Sequence, residues 1–525
     1  MLGVGYSPEA VITSSTGFDQ FLKSGGKATD IVEGKYLIKY PISNSTVIIE
    51  TDDMGAELLF LYRTSNYWCV STSLYQLAVH IHSKKLPLTL KKIDLALNFI
   101  QTSLFEQPIN TNPNFEEIIL IESNKRLIAS RDSIKIKSKN EIGLFHVKFQ
   151  ELPFAEKVTY FVGFFKKMIS TISEKHDINL ELSGGIDSRV LFSIFREDIV
   201  NKKIKISTDK NRENDYLIVE MLSKLYGFSL TSYEDNNVGK KDFLVKYKLF
   251  KYGNIGVSRT RKRPNAGSGI HASTTFRING GRGGIGKLFY NDNYMAYVNL
   301  IKKSHLQDTL KSQVINEFIR VLHMESYQDH PARTMVNLYS KYRMRYFAGR
   351  SWYYSLLGII LSPFNSKMFE LIISSNDLEE FFNKDIEYIY RKNLIQLYIL
   401  YLLAPELAFV LTDSNNKDFD IEDISLIKEL RVKQEGDIES DHFNFLLYDS
   451  EDTLLKMQDE PVYKLNSYDD LIYENIANGF SLLEKFEILN DSYLLELRGK
   501  LENKTLTRAE ESSLLHVISL LVLGH

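Results

Sequence analysis

The short apolar run Ile178-Asn179-Leu180-Glu181-Leu182 passes directly into Ser183-Gly184-Gly185-Ile186-Asp187-Ser188, and this junction constrains the fold more than any other stretch. Ahead of it, Val158, Phe161, Val162, Phe165, Ile169 and Ile172 recur at helical spacing within 154–176 and give one apolar stripe. Behind it, Arg189–Phe195 reads as helix, Lys203–Ser207 as strand, Asp215–Tyr226 as helix and Phe228–Ser232 as strand. Such alternation predicts a parallel α/β sheet with right-handed crossovers. A turn that leaves a strand and opens a helix presents unpaired N–H groups and the positive end of the helix dipole, which suits an anion. Its two glycines let the backbone approach a ligand closely. Ser183 and Ser188 could donate hydroxyl hydrogen bonds to phosphate oxygens. Asp187 would repel phosphate unless Mg2+ stood between them. The plain alternative is a strand–helix turn with glycine for geometry and serine as N-cap. Neither G-x-x-x-x-G-K-[ST] nor G-x-G-x-x-G occurs here, so the common triphosphatase and dinucleotide loops are not expected.

Residues 1–150 read mostly as strands: Tyr36–Tyr40, Thr46–Glu50, Leu58–Tyr62 and Tyr67–Ser71, separated by turn-rich Asn44-Ser45, Asp52-Asp53-Met54-Gly55 and Thr64-Ser65-Asn66. Ser73–His80 reads as a short helix, and Ile118–Ile121 with Arg126–Ser130 as a hairpin. From about residue 300 the pattern is largely helical. The acidic stretch Asp418–Asp423 reads as an exposed connection to a last helical segment.

The chain has 525 residues, 44% hydrophobic and 25% charged, which is globular composition. A net charge of −3 gives no electrostatic reason to expect nucleic acid as partner. One cysteine, Cys69, forms no intrachain disulfide, and a cytoplasmic location is expected. No apolar run approaches the roughly 18 residues of a spanning helix. The longest, Trp352–Leu361 and Leu514–Leu523, have the length of core helices. The N-terminus lacks the basic and apolar pattern of a secretion signal.

The turn 183–188 resembles the S-G-G-x-D-S pyrophosphatase loop (PP-loop) of the asparagine synthase family. In the N-terminal part, Asp52-Asp53-Met54-Gly55 with Leu58–Tyr62 is similar to that family's D-R-x-G…L-x-Y element, and Trp68–Ser73 to its F-A-S-E strand end. The resemblance implies a fold of class α/β: an Ntn-like αββα sandwich over 1–150, a PP-loop parallel-sheet adenylating domain over 151–420, and a helical C-terminal extension over 421–525. It implies ATP and Mg2+ as cofactors, with ATP split between its α and β phosphates to place AMP on a carboxylate that an amine then attacks. Ser183, Gly184, Gly185, Asp187 and Ser188 would hold the phosphates, Asp187 through the metal. The family's glutaminase uses an N-terminal cysteine, whereas Leu2 stands second here and Cys69 falls within a strand as a small core residue. Ammonia release from glutamine is therefore not expected, as in family members such as lasso-peptide cyclases, β-lactam synthetases and polysaccharide amidotransferases.

Gly280–Phe289 (GGRGGIGKLF) resembles the family's S-G-E-G-S-D-E-L-F loop, so Gly281, Gly283 and Gly284 are expected near the nucleotide. The family's acids are absent from it. Arg282 and Lys287 stand there instead, and Arg282 could pair directly with pyrophosphate; a glycine loop with solvated charges is the alternative. Leu361–Asn365 is similar to the V-P-F-L-D segment. Lys392, ahead of Leu403-Ala404-Pro405-Glu406, suits the K-x-L-L-R…L-P-x-E segment, whose lysine lies over the reacting phosphate and would offset developing charge. Arg391 could be the true match, a surface lysine is the alternative, and Gln396 stands where the motif has arginine.

Arg259–Arg263 reads as a solvated basic loop or as the lining of an active-site mouth. Arg343, Arg345 and Arg350 could bind a substrate carboxylate, or expose charge on a helix. His80 and His82 would share one face of an extended segment, a poor metal site without a third ligand. The expected function is an ATP-dependent ligase joining a small-molecule, peptide or sugar carboxylate to an amine. The alternatives are asparagine synthesis from free ammonia and a degenerate nucleotide-binding scaffold. A homo-oligomer or a pathway partner protein would be compatible with either.

Overall fold

A computed structural model describes residues 1–139, 144–233, 247, 250–259, 276–281, 283–325, 327–328, 330–349, 359–410, 420–432, 443–449 and 468–524. The protein is α/β, and among the described residues it has fifteen strands. They are β1 (Leu2–Ser7), β2 (Ala10–Thr13), β3 (Glu33–Ser43), β4 (Thr46–Thr51), β5 (Phe60–Arg63), β6 (Trp68–Ser71), β7 (Ile118–Leu120) and β8 (Lys125–Ser130). Then follow β9 (Ile134–Ser138), β10 (Ile178–Glu181), β11 (Ile204–Asp209), β12 (Leu230–Tyr233), β13 (Phe276–Ile278), β14 (Ile359–Leu361) and β15 (Leu446–Tyr448).

Strands β15-β2-β1-β3-β4-β8-β9 form a mixed sheet, and β6-β5-β7 a small antiparallel one. Period-two alternation sorts the residues of the larger sheet onto two faces. Ile12, Tyr36 and Ile38 pack outward with Phe18 and Phe21 of helix Ser14–Lys23. Ile49, Leu127 and Ile134 pack inward against Leu59, Leu61 and Ile121 beside the small sheet. The far face of the small sheet, Phe60 and Tyr62, shares a core with Leu74, Leu77 and Ile81 of helix Leu74–Ser83. The layering is thus helix, sheet, sheet, helix. Ser73 caps that last helix, its Oγ accepting from Gln76 N at 3.2 Å. The expected turn at 52–55 is present: Asp52 accepts the amides of Ala56 and Glu57, each at 2.9 Å, and Gly55 has φ +61°.

Two local expectations give way to longer-range pairing. Ile118–Leu120 and Lys125–Ser130 are not a hairpin, because β7 joins the small sheet through β5 while β8 joins the large one between β4 and β9. His80 and His82 lie on a helix, where two-residue spacing points them apart. Nε2 of His80 meets the Tyr67 hydroxyl at 2.7 Å, and Nδ1 of His82 lies 3.1 Å from Leu523 O.

Helix Phe154–Ser173 follows, and all six stripe residues are buried. Each such side chain contributes about 1.5–3 kcal/mol of transfer free energy. Tyr6 of β1 meets Phe165 of this helix edge-on at 6.3 Å, so the helix covers the part of the large sheet that the small sheet leaves bare. The core therefore runs unbroken across residue 150. Next comes the second sheet, order β12-β11-β10-β13-β14, with every pair parallel. Ile359–Leu361 is its last strand rather than the end of a core helix; Trp352 lies outside the described residues.

The last hundred residues return to the beginning. Beyond helix Ile421–Val432, β15 pairs in parallel with β2 at the edge of the N-terminal sheet, a strand within a segment expected to be purely helical. Helices Tyr468–Lys485, Asp491–Glu502 and Arg508–Gly524 follow. In the last of these Leu514, Leu515, Val517, Ile518, Leu520 and Leu521 are buried, as expected of a core helix. Its Ser513 and His516 clasp residues 254–259: Gly256 N donates to His516 Nε2 at 2.9 Å, and the Arg259 guanidinium donates to Ser513 Oγ at 3.2 Å, to Ile100 O at 3.1 Å and to Asn98 O. Arg259 is 1% exposed, so it is neither a solvated loop residue nor part of a mouth; its partners include two backbone carbonyls and the Ser513 hydroxyl. Residues 260–263 lie outside the described residues. No helix among the described residues is long and apolar enough to cross a membrane.

Candidate functional site

In order of appearance the parallel strands run 3-2-1-4-5 across the sheet, so the direction of winding reverses between β10 and β13. Crevices form at the carboxyl ends of strands at such a switch point. The two loops singled out by their glycines are the ones that leave β10 and β13 there. β10 ends at Glu181, and helix Ile186–Val200 begins after Gly185 with no side chain capping it. Its first-turn amides carry the positive end of a four-turn dipole.

The interior of the turn is already organised. Ser188 Oγ lies 2.9 Å from Ser183 O and 3.0 Å from Gly185 O, and it accepts from Ser183 N at 3.2 Å. A hydroxyl has one proton, so Ser188, 5% exposed, closes the turn rather than offering that proton outward. Ser183, half-buried, takes the Gly185 amide at 3.3 Å. Gly184 N donates to Oδ1 of buried Asp215 at 2.6 Å, and Arg212 stands 3.6 Å from the other Asp215 oxygen. Asp215 opens the next crossover helix, and its role could have been anticipated from its position after the second strand.

The second loop leaves β13 at Asn279, whose Oδ1 accepts from Gly281 N at 3.1 Å and from Ser362 Oγ, after β14, at 2.7 Å. Gly283–Gly286 form a 3-10 turn lying directly on Asp187. A Cβ on Gly283 would fall 2.2 Å from Asp187 Cγ, and one on Gly284 would fall 2.5 Å from the Tyr339 hydroxyl. Any larger residue at either place would have to push that neighbouring side chain aside. Gln396, fully buried, donates to Gly283 O at 2.8 Å, so the position where the family motif has arginine anchors this turn.

The Lys287 ammonium lies 2.7 Å from Asp187 Oδ1 and donates to Oδ2 at 2.8 Å. The two side chains are 20% and 23% exposed, so the pair is partly open to solvent. The sequence singles out Lys287 only as a charge near the loop; its register seven residues beyond Gly280 is what brings it to Asp187.

The expected lysine behaves differently. Lys392 follows helix Ile386–Arg391, and its ammonium engages Asp420 and stands 3.9 Å from Asp423. That pairing, and chiefly the bond to Asp420, raises its pKa. The acidic start of the next helix thus takes this side chain, and Asp423, itself buried, accepts from Tyr388 Oη at 2.8 Å. The stretch is a clamp as well as a connection. Arg391 pairs with Asp292 and Glu387. Arg282 and Arg350 lie outside the described residues. Arg345, buried, donates to Gly55 O and Ile121 O at 3.2 and 2.7 Å, and Arg343 to Ser103 O and Gln107 Oε1 at 3.1 and 3.2 Å. Both tie their helix to the N-terminal sandwich, instead of waiting for a substrate or facing water.

A magnesium ion at Asp187 would have to displace an ammonium, so the residues present suit the ammonium rather than the metal. Asp187 supplies one carboxylate, an ammonium already bridges both its oxygens, and no cluster of three or more acid, His or Cys side chains occurs among the described residues. Cys69 lies half-buried on edge strand β6, and burial pushes its thiol up, away from the reactive thiolate. β1 carries Leu2 opposite Leu37. The arrangement can hold an anion at an uncapped helix terminus, with a serine hydroxyl and an ammonium beside it. Comparison with protein-family models and with curated proteins returns no match, so the chemistry of the crevice itself must carry any reading of what the protein does.

Proposed function

We propose that this crevice binds the phosphates of ATP and that the protein is an AMP-forming ligase, as the likeness of its turn to the asparagine synthase loop implies. One observation carries the reading: the uncapped helix at the switch point faces a glycine turn that carries its own ammonium. A carboxylate oxygen of the substrate attacks the α-phosphorus, the bond to the bridging oxygen breaks, and pyrophosphate leaves. The amine nitrogen then attacks the acyl carbon, AMP departs with the bonding pair, and the nitrogen loses a proton. In this reading Ser183 donates its hydroxyl hydrogen to a phosphate oxygen. The first-turn amides take the charge that develops on pyrophosphate. Burial raises the pKa of the Cys69 thiol, which argues for an amine supplied from solution or by another protein.

The test is product analysis. Full-length protein with ATP, a panel of amino, uronic and peptide carboxylates and a panel of amines is expected to yield AMP and pyrophosphate. Ser183→Ala should lower the rate by about 100-fold, the loss typical of one donor to developing charge. ADP and orthophosphate as products would contradict the reading. A second reading, the catalytically silent scaffold, draws support from the Ser188 hydroxyl and the Gly184 amide being engaged inside the loop. ATP binding with no turnover across both panels would favour it.

A further inference from the structure

A carboxylate at the mouth of a phosphate site is like-charged with its ligand and needs a cation beside it. Here the cation is part of the chain. Lys287 bridges both oxygens of Asp187, at 2.7 and 2.8 Å. An ammonium has three N–H donors. One is donated to Asp187 Oδ2 at 2.8 Å; Asp187 Oδ1, 2.7 Å away, is buried without a hydrogen bond, and no other protein acceptor meets this ammonium among the described residues. The 20% exposure of Lys287 shows that this face reaches solvent.

The packing also disfavours the alternative. A metal held by the protein on both sides of the crevice would take a second carboxylate from the glycine turn; with Asp187 alone it would rest on that one oxygen pair, the phosphates and water. A Cβ on Gly283 would sit 2.2 Å from Asp187 Cγ, one on Gly280 3.2 Å from Asp187 Cβ, and one on Gly284 2.5 Å from Tyr339 Oη. A side chain at Gly283 or Gly284 would have to push the Asp187 carboxylate or the Tyr339 hydroxyl aside, and one at Gly280 would press on Asp187. Asp215, at the start of the next crossover helix, is committed to Gly184 N at 2.6 Å.

Building on the proposed phosphate site, we infer that the Lys287 ammonium takes the place of a divalent cation, so that the crevice binds pyrophosphate and ATP phosphates without magnesium. Lys287 keeps its bond to Asp187 Oδ2 and directs another N–H at a phosphate oxygen. Magnesium that arrives with a nucleotide stays on the solvent side of the phosphates. The arrangement favours ligands with two adjacent phosphates, since helix terminus and ammonium flank the crevice from opposite loops.

The probes are inorganic pyrophosphate and ATP, titrated calorimetrically into full-length protein in EDTA and in excess MgCl2. Pyrophosphate affinity is expected to agree within about 3-fold between the two buffers. Lys287→Gln should weaken it about 10–100-fold in both, the loss of one charge-assisted bond. Asp187→Asn should keep or tighten binding in EDTA, because the anion then meets an unshared ammonium. A melting curve confirms that each variant is folded. Pyrophosphate binding that requires magnesium and vanishes in Asp187→Asn would overturn the inference and leave the nucleotide reading intact. Absence of binding by both probes in both buffers would overturn the nucleotide reading itself, and the inference with it.

Discussion

Replacing Arg259 with methionine is expected to destabilise the protein by about 3–5 kcal/mol, from at least two charge-assisted bonds lost at about 1.5–3 kcal/mol each. The guanidinium is fully buried and joins three parts of the chain: Asn98 and Ile100 of the N-terminal unit, its own segment 254–259, and Ser513 of the last helix. Methionine fills much of the volume yet leaves the Asn98 and Ile100 carbonyls without that donor. Chemical denaturation measures the change, and a loss under about 1 kcal/mol would show that the junction does not hold the ends together. The same clasp makes stability depend on pH. His516 accepts the Gly256 amide, and burial, followed by the Arg259 charge, pushes its pKa from 6.5 down to about 3. The unfolded chain takes up a proton as pH falls through 6.5 and the native protein does not. The His516 contribution is therefore complete above pH 6.5 and is lost progressively between 6.5 and about 3. His516→Gln should flatten this slope, while Arg259→Met should shift its lower limit upward.

Gly283→Val is expected to weaken ATP binding by more than about 100-fold, with a smaller loss of stability, about 1–3 kcal/mol for overpacking. The new Cβ cannot occupy its place 2.2 Å from Asp187 Cγ and 2.5 Å from Oδ1 without pushing the Asp187 carboxylate aside or parting the two loops. Parting them breaks the Lys287–Asp187 bridge and moves Gly283 O from Gln396. Gly499→Ala is the control. This glycine lies within helix Asp491–Glu502 with open space around its Cβ position, so alanine should stabilise by about 0.5–1 kcal/mol and leave ATP binding unchanged. Equal ATP affinity in Gly283→Val and the native protein would remove the glycine turn from the site.

The features legible in the sequence are those written in local periodicity. The stripe from Val158 to Ile172 lies on one buried face because helical spacing alone places it there. The parallel sheet follows from the alternation of apolar strands and helices between 154 and 233, and the turn after Leu182 follows from glycines at a strand end. What was illegible depends on distant partners. β15 has three residues and exists as a strand because the edge of β2 offers unpaired groups. On paper the motif points to Lys392 and leaves Lys287 a nearby charge; their roles are the reverse because Asp420 and Asp423 stand beside the one while Asp187 packs under the other. The basic character of Arg259 suggested solvent, yet three carbonyl and hydroxyl acceptors from segments remote in sequence make its burial tolerable. Helix spacing also decides against the pairing of His80 with His82, once Leu74–Ser83 is a helix instead of an extended run.

Amide hydrogen exchange of the full-length protein, followed with and without saturating ATP, tests most directly whether the turn after Leu182 grips a triphosphate. The account predicts slowed exchange in peptides spanning 183–189 and 280–288, with little change across the helices from 468 to 524. Protection that leaves both glycine segments untouched while ATP is bound would contradict it.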